Sequence, residues 1–216
     1  MKKKSRHSKN NSLLGSLILI ICIVLMIFSG IHILKWFKEN KKSQNTMTKI
    51  SDNVKIDNGE TIVDLKKLQE ENNNTVAWLK VRNTNIEYPV VKAKDNLFYL
   101  DHSFDNSYNS AGWIFADYNN KFDGTDKHLV IFGHNRRDGS MFGSLKKVLD
   151  KEWCSDEENR NILLVTEKGN VTYKVFSVYK IKNEDYYITT KFDNNEEFGE
   201  FINTLNGLRR TAQARL

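Results

Sequence analysis

Residues 13–34 read LLGSLILIICIVLMIFSGIHIL, 22 positions without a formal charge. At 1.5 Å rise per residue, a helix of that length spans roughly 33 Å, enough for a hydrocarbon core of about 30 Å. This commits the start of the chain to one transmembrane helix. A secretory signal peptide would have a shorter apolar core and a small-x-small cleavage site, and none follows Gly30. Basic residues flank both ends, but the cluster Lys2, Lys3, Lys4, Arg6 and Lys9 is the denser one. The positive-inside rule then predicts a cytoplasmic N-terminus, residues 1–12, and a single-pass protein with its bulk outside the cell membrane.

The anchor also accounts for the charge. Residues 1–42 hold nine basic side chains against Glu39 alone, a net +8, whereas the remainder carries 24 basic and 26 acidic residues, a net −2. The overall +6 therefore belongs to the N-terminus. A near-neutral body has no electrostatic footprint for a polyanion, which argues against nucleic acid as a partner.

Two cysteines occur, Cys22 within the anchor and Cys154 far away in the body. That excludes a disulfide framework and a cysteine-rich metal site. Residues 35–60 are polar and rich in Lys, Asn, Ser and Thr, and read as a juxtamembrane linker. Residues 61–207 are long enough to build their own core, and residues 208–216 read as an atypical tail.

Within the body, TIVDLKKLQEE at 61–71 places Ile62, Leu65 and Leu68 at helical spacing, and the following Asn run stops that helix. Short apolar, β-branched and aromatic runs predict strands at VAWLKV, IEYPVV, GWIFADY and HLVIFGH. NILLVTEKGNVTYKVFSVYKI predicts a hairpin turning at Lys168-Gly169-Asn170. Pro89, the only proline, suits a sheet edge. Two helices should interrupt the strands. Ser140 would cap one carrying Met141, Leu145 and Val148, and Asn194 or Asn195 would cap one aligning Phe198, Phe201, Ile202 and Leu205. Asn206-Gly207 would end the second. Many short strands with few helices favour a mainly β barrel or sandwich.

The candidate functional residue is His134, where the apolar run HLVIF gives way to the glycine-flanked, charged turn GHNRRDGSMFG. It is placed to move a proton, although a turn histidine satisfied by backbone carbonyls fits the local pattern as well. His7 and His32 belong to the anchor region, His102 lies in the loop YLDHSF, and His128 opens the strand that ends at His134, about 20 Å away along it and too far to share an ion.

VAWLKVRNTNIEYPVVKAKDNLFYLDHSF, GWIFADYNN, IFGHNRRDGSMFGSLKKVLD, NVTYKVFSVYKI and DYYITTKF resemble, in order and spacing, the class B sortases of Gram-positive cell surfaces. The resemblance runs over residues 76–201, most of the body. It implies a β-barrel with inserted helices and assigns His134 the place of the catalytic histidine. It also implies a mechanism. A cysteine thiolate attacks the peptide carbonyl of a C-terminal sorting motif in a secreted protein, and a peptidoglycan amine resolves the acyl-enzyme. The histidine protonates the departing amine and deprotonates the incoming one, and an arginine stabilises the oxyanion or positions the substrate. No metal or organic cofactor is implied.

The sequence departs from that family in one respect. The nucleophile motif Thr-Leu-x-Thr-Cys and the following arginine strand are expected after residue 207, and LRRTAQARL contains neither. The expectation is a barrel with its C-terminal strands missing and a chain that is catalytically inactive as given. The alternative is a non-catalytic, membrane-anchored module that binds sorting-signal peptides. Cys154 follows His134 in chain order, but Asp150, Glu152, Asp156, Glu157 and Glu158 surround it in sequence, and carboxylates disfavour a thiolate. Arg209, Arg210 and Arg215 read as tail charge, and Arg136 and Arg137 as turn residues.

Overall fold

The computed structural model describes residues 8–57, 60–178 and 185–213, and the chain divides into two compact units, Met1–Lys42 and Ser43–Leu216. In the first, the apolar run lies within helix α1, Ser8–Ser51. Its large apolar side chains between Leu14 and Leu34 are exposed. By length and composition α1 is able to cross a membrane. Residues 35–51, expected as a linker, continue the helix. Their Lys, Glu, Gln and Met residues are good helix formers and no proline interrupts them.

The second unit opens on the last turns of α1, earlier than the boundary expected at residue 61. Ile50 is fully buried with Met47 packed against the same core, and Ser43 Oγ accepts a 2.9 Å hydrogen bond from Asn109 Nδ2. Strands β1, Val54–Asp57, and β2, Glu60–Val63, pair antiparallel. Helix α2 then covers Leu65–Glu71. The helix expected from residue 61 thus starts four residues later, because β-branched Thr61, Ile62 and Val63 extend and Asp64 caps, its side chain accepting from Lys67 N. Leu65 and Leu68 are buried beneath it. Asn72 ends the helix and is itself buried, donating to Tyr99 OH at 3.0 Å and to Phe104 O at 2.7 Å.

A six-stranded sheet follows, in the order β6-β5-β4-β3-β7-β8, curled into a half-barrel. Its members are β3, Thr75–Val81; β4, Glu87–Val91; β5, Phe115–Ala116; β6, Ile131–Phe132; β7, Asn161–Thr166; and β8, Gly169–Lys174. Only the β4–β5 pair is parallel. Strand β3 is central, with Leu79 paired to Tyr88 on one side and to Leu164 on the other. Central placement explains why its burial is nearly continuous and not alternating. Trp78, Tyr99, Phe104, Trp113 and Phe115 fill the core beside it.

Two strands, β5 from GWIFADY and β6 from HLVIFGH, are shorter than their apolar runs suggest. HLVIFGH contributes only Ile131–Phe132 to the sheet. Asn120 takes over the backbone before it, donating to His128 O at 2.7 Å and accepting from Val130 N at 2.9 Å. A side chain thus replaces the ladder. Pro89 lies inside the sheet, not at its edge. β5 meets β4 only at Val91, so no strand needs the missing Pro89 N–H, and the Trp113 indole donates to Pro89 O at 3.0 Å. The β7–β8 hairpin turns one residue earlier than expected, since Thr166 pairs with Gly169.

The expected helices also change. Residues Gly143–Leu149 form a 3₁₀ helix without a side-chain cap, because the Ser140 hydroxyl is drawn to Asp138 instead. Short helix α3, Lys151–Ser155, follows. Near the end, Asn194 does cap α4, Asn195–Gln213, accepting from Glu197 N at 2.8 Å. The helix passes through Gly207, which keeps a negative φ, and so includes part of the segment expected as a tail. Phe192, Phe198 and Phe201 cluster at its start, with the His128 ring 4.9 Å from that of Phe201.

Candidate active site

Strand β6 places His134 two residues past its end, on an edge of the sheet. Gly133 is needed there for space: an added Cβ would collide with Ile114 and lie 2.9 Å from the Phe142 ring. The chain then loops out and back. Phe142 N–H donates to His134 O at 3.0 Å, and Asn135 bridges Met141. The loop closes on its own entrance, which fixes the backbone that carries the imidazole.

Asp138 organises that loop. Its carboxylate accepts from Arg136 Nη2 at 3.0 Å, from Ser140 N at 3.0 Å and from Ser140 Oγ at 2.6 Å. Partial burial works to raise the carboxyl pKa, but the hydrogen bonds from Arg136 and Ser140, with the guanidinium charge, outweigh it and hold the group at about 2. Arg136 is therefore a turn residue, engaged within its own loop. On the inner side, Met141 adopts φ +50 and is buried, its N–H donating to Tyr88 OH at 3.2 Å. Burial pushes the Tyr88 phenol above its ordinary pKa, and the Met141 bond offsets part of that rise.

The imidazole itself is exposed, yet it is held: Nε2 lies 2.6 Å from Leu100 O. This contact comes from the segment 98–102, on which His102 stacks over Phe98 and bonds Phe98 O and Asp101. Sequence reasoning missed Leu100, and it left no signal to find, because the group involved is a backbone carbonyl.

The other candidates lie elsewhere. Cys154 sits on α3 with its thiol donating to Val148 O at 3.0 Å. Cys22 lies in α1. His128 Nδ1 bonds Thr189 O at 2.7 Å. Arg209 and Arg210 fall within α4, and Arg215 lies outside the described residues. Among the described residues no group of three His, Cys, Asp or Glu side chains is gathered to hold a metal ion.

A curled antiparallel-rich sheet with a strand-end histidine beside a self-closing loop defines a class, and comparison with known proteins identifies it. Residues 79–203 match the sortase domain family. The chain is 35% identical over 203 residues to sortase B of Listeria monocytogenes, covering 90% of this chain and 80% of that protein. A crystal structure of a sortase B-like protein from Bacillus anthracis superposes with a TM-score of 0.70 at 32% identity, covering 81% of this chain and 82% of that one. A Staphylococcus aureus sortase B–substrate complex is similar with a TM-score of 0.63 at 26% identity, covering 81% and 76% of the two chains. The chain belongs to the sortase family, within its class B.

Proposed function

We propose that this chain serves the sorting reaction, in which secreted proteins bearing a C-terminal motif are cut and joined to a peptidoglycan amine, with His134 as the proton-transfer residue. The observation that carries the reading is the placement of His134 within the matched domain: strand-end, solvent-facing and held by a backbone carbonyl. An imidazole so placed protonates a departing amine and takes a proton from an incoming one. Helix α1 anchors the chain in the cell membrane, the basic cluster at Lys2 to Lys9 keeps the N-terminus cytoplasmic, and the sheet domain works outside.

The reaction also needs a thiolate and an oxyanion donor. Cys22 lies in the anchor helix and the Cys154 thiol is turned to Val148 O, in an acidic stretch of sequence. Neither serves His134, and Arg136 is committed to Asp138. A sorting peptide is therefore not expected to be turned over with either of these cysteines as the nucleophile. The test is a mass-spectrometric search for a thioester after incubating the full chain, in detergent micelles, with a sorting-motif peptide. No adduct is expected, in the wild type or in Cys154→Ala. An adduct that disappears in Cys154→Ala would overturn this assignment of roles.

A further inference from the structure

We propose that the Leu100 carbonyl and Gly112 are the positioning device for His134: the carbonyl binds the Nε2 proton, Gly112 leaves room for that contact, and Nδ1 becomes the nitrogen that moves protons. The inference rests on the reading of His134 as the proton-transfer residue, and deepens it by naming the working atom.

Leu100 closes a short 3₁₀ helix, Phe98–Leu100, whose start is tied down by Asp95 accepting from Leu97 N at 2.8 Å and Phe98 N at 3.0 Å. Carbonyls at a helix end have no partner within the helix. Two of them here are satisfied by neighbours: Phe98 O by His102 Nδ1 at 2.8 Å, and Tyr99 O by Trp113 N at 2.9 Å. The third, Leu100 O, meets His134 Nε2 at 2.6 Å. A carbonyl oxygen only accepts, so this bond exists only when Nε2 bears its hydrogen. In the neutral ring the lone pair then lies on Nδ1, which makes no hydrogen bond among the described residues. The proton destined for a departing amine leaves from Nδ1, and the proton of an incoming amine returns there.

Gly112 makes the approach possible. It has φ +59, and a Cβ added to it would sit 2.6 Å from both Leu100 O and Tyr99 O and 2.9 Å from His134 Cδ2. Two of those three neighbours are backbone. The glycine cannot retreat either, because its N–H donates to Asn109 O at 2.9 Å and the next N–H, on Trp113, donates to Tyr99 O. A side chain at position 112 would wedge the carbonyl and the imidazole apart. Leu100 and Gly112 have no chemistry of their own in the reaction and act through His134.

The experiment is long-range ¹H–¹⁵N spectroscopy of the full chain, labelled with ¹⁵N-histidine in detergent micelles, with His134→Gln used to assign the signal. His134 is expected as the Nε2–H form at neutral pH, its Nε2–H exchanging with water at least about tenfold more slowly than in Gly112→Ala, the weight of one hydrogen bond. Gly199→Ala, at a position with open space around it, should leave the signal unchanged. An Nδ1–H tautomer in the wild type, or unchanged exchange in a folded Gly112→Ala, overturns the proposal. If Gly112→Ala does not fold, the wild type labelled in addition with carbonyl-¹³C leucine decides: a scalar coupling through the hydrogen bond between His134 Nε2 and the Leu100 carbonyl carbon is expected, and its absence refutes the device. None of these readouts needs turnover. The proton-transfer reading fails separately, if peptide acylation of the chain is detected and persists in His134→Ala.

Discussion

Replacing Asp138 by asparagine should weaken the protein at neutral pH and cost it nothing near pH 2. The carboxyl is held at about 2 against an ordinary value of 3.8. By linkage, that difference corresponds to about 2.4 kcal/mol of stability. The turn is open to water, where screening and side-chain entropy reduce such a figure, and about 1 kcal/mol is the realistic expectation. The sign follows from the direction. A depressed carboxyl pKa stabilises the folded state fully above 3.8, and the contribution drains away as pH falls toward 2. The Asp138→Asn side chain keeps an oxygen for Ser140 but loses the charge opposite Arg136, so the variant isolates the electrostatic part. Urea unfolding of the full chain in micelles, followed by the fluorescence of its four tryptophans, would be run at pH 7, 4 and 2.5. The gap between wild type and variant should be about 1 kcal/mol at pH 7 and shrink steadily with acid. An equal gap at pH 7 and 2.5 would show that the loop depends on shape and not on charge, and the account of Asp138 would be wrong.

Three further outcomes follow from packing. Trp113→Phe removes buried volume and strands the buried Pro89 O, and should cost about 2–4 kcal/mol in denaturant unfolding; a cost below about 1 kcal/mol would mean the indole bond is unimportant. Gly133→Ala drives a methyl into Ile114 and the Phe142 ring, and should lower stability by about 1–3 kcal/mol, read as a shift in thermal midpoint. Tyr173→Lys, on the exposed edge strand β8, should change stability by less than about 0.5 kcal/mol while reducing self-association in light scattering, because a charged edge resists strand pairing.

The succession of strands, the long apolar helix and the strand-end position of His134 were legible because each is written as local pattern: an uncharged run, short runs of apolar residues, a histidine between a strand and a glycine turn. What escaped was set by partners distant in sequence. Nothing around HLVIFGH announces that Asn120 will occupy its backbone. Nothing near Ser140 says that Asp138 will claim its hydroxyl before a helix can use it. Pro89 breaks a rule about sheet interiors only because β5 is too short to reach it. Helix boundaries failed for a related reason. Asn206-Gly207 carries the usual stop signal, but Gly207 stays helical and residues such as Arg and Ala beyond it propagate the helix. The acceptor for the His134 ring was invisible in principle, since every residue offers the same carbonyl.

The central position of β3 has a consequence for how the domain comes into being. Its β4 neighbour emerges within a few residues, whereas its β7 neighbour is encoded far downstream, Leu79 awaiting Leu164. Closing so wide a gap is entropically slow. A nascent chain therefore spends an interval with the tryptophan-bearing strand covered on one flank only, its other flank open to stray pairing. Whatever accompanies the polypeptide during synthesis has most to do in that interval, before Leu164 arrives.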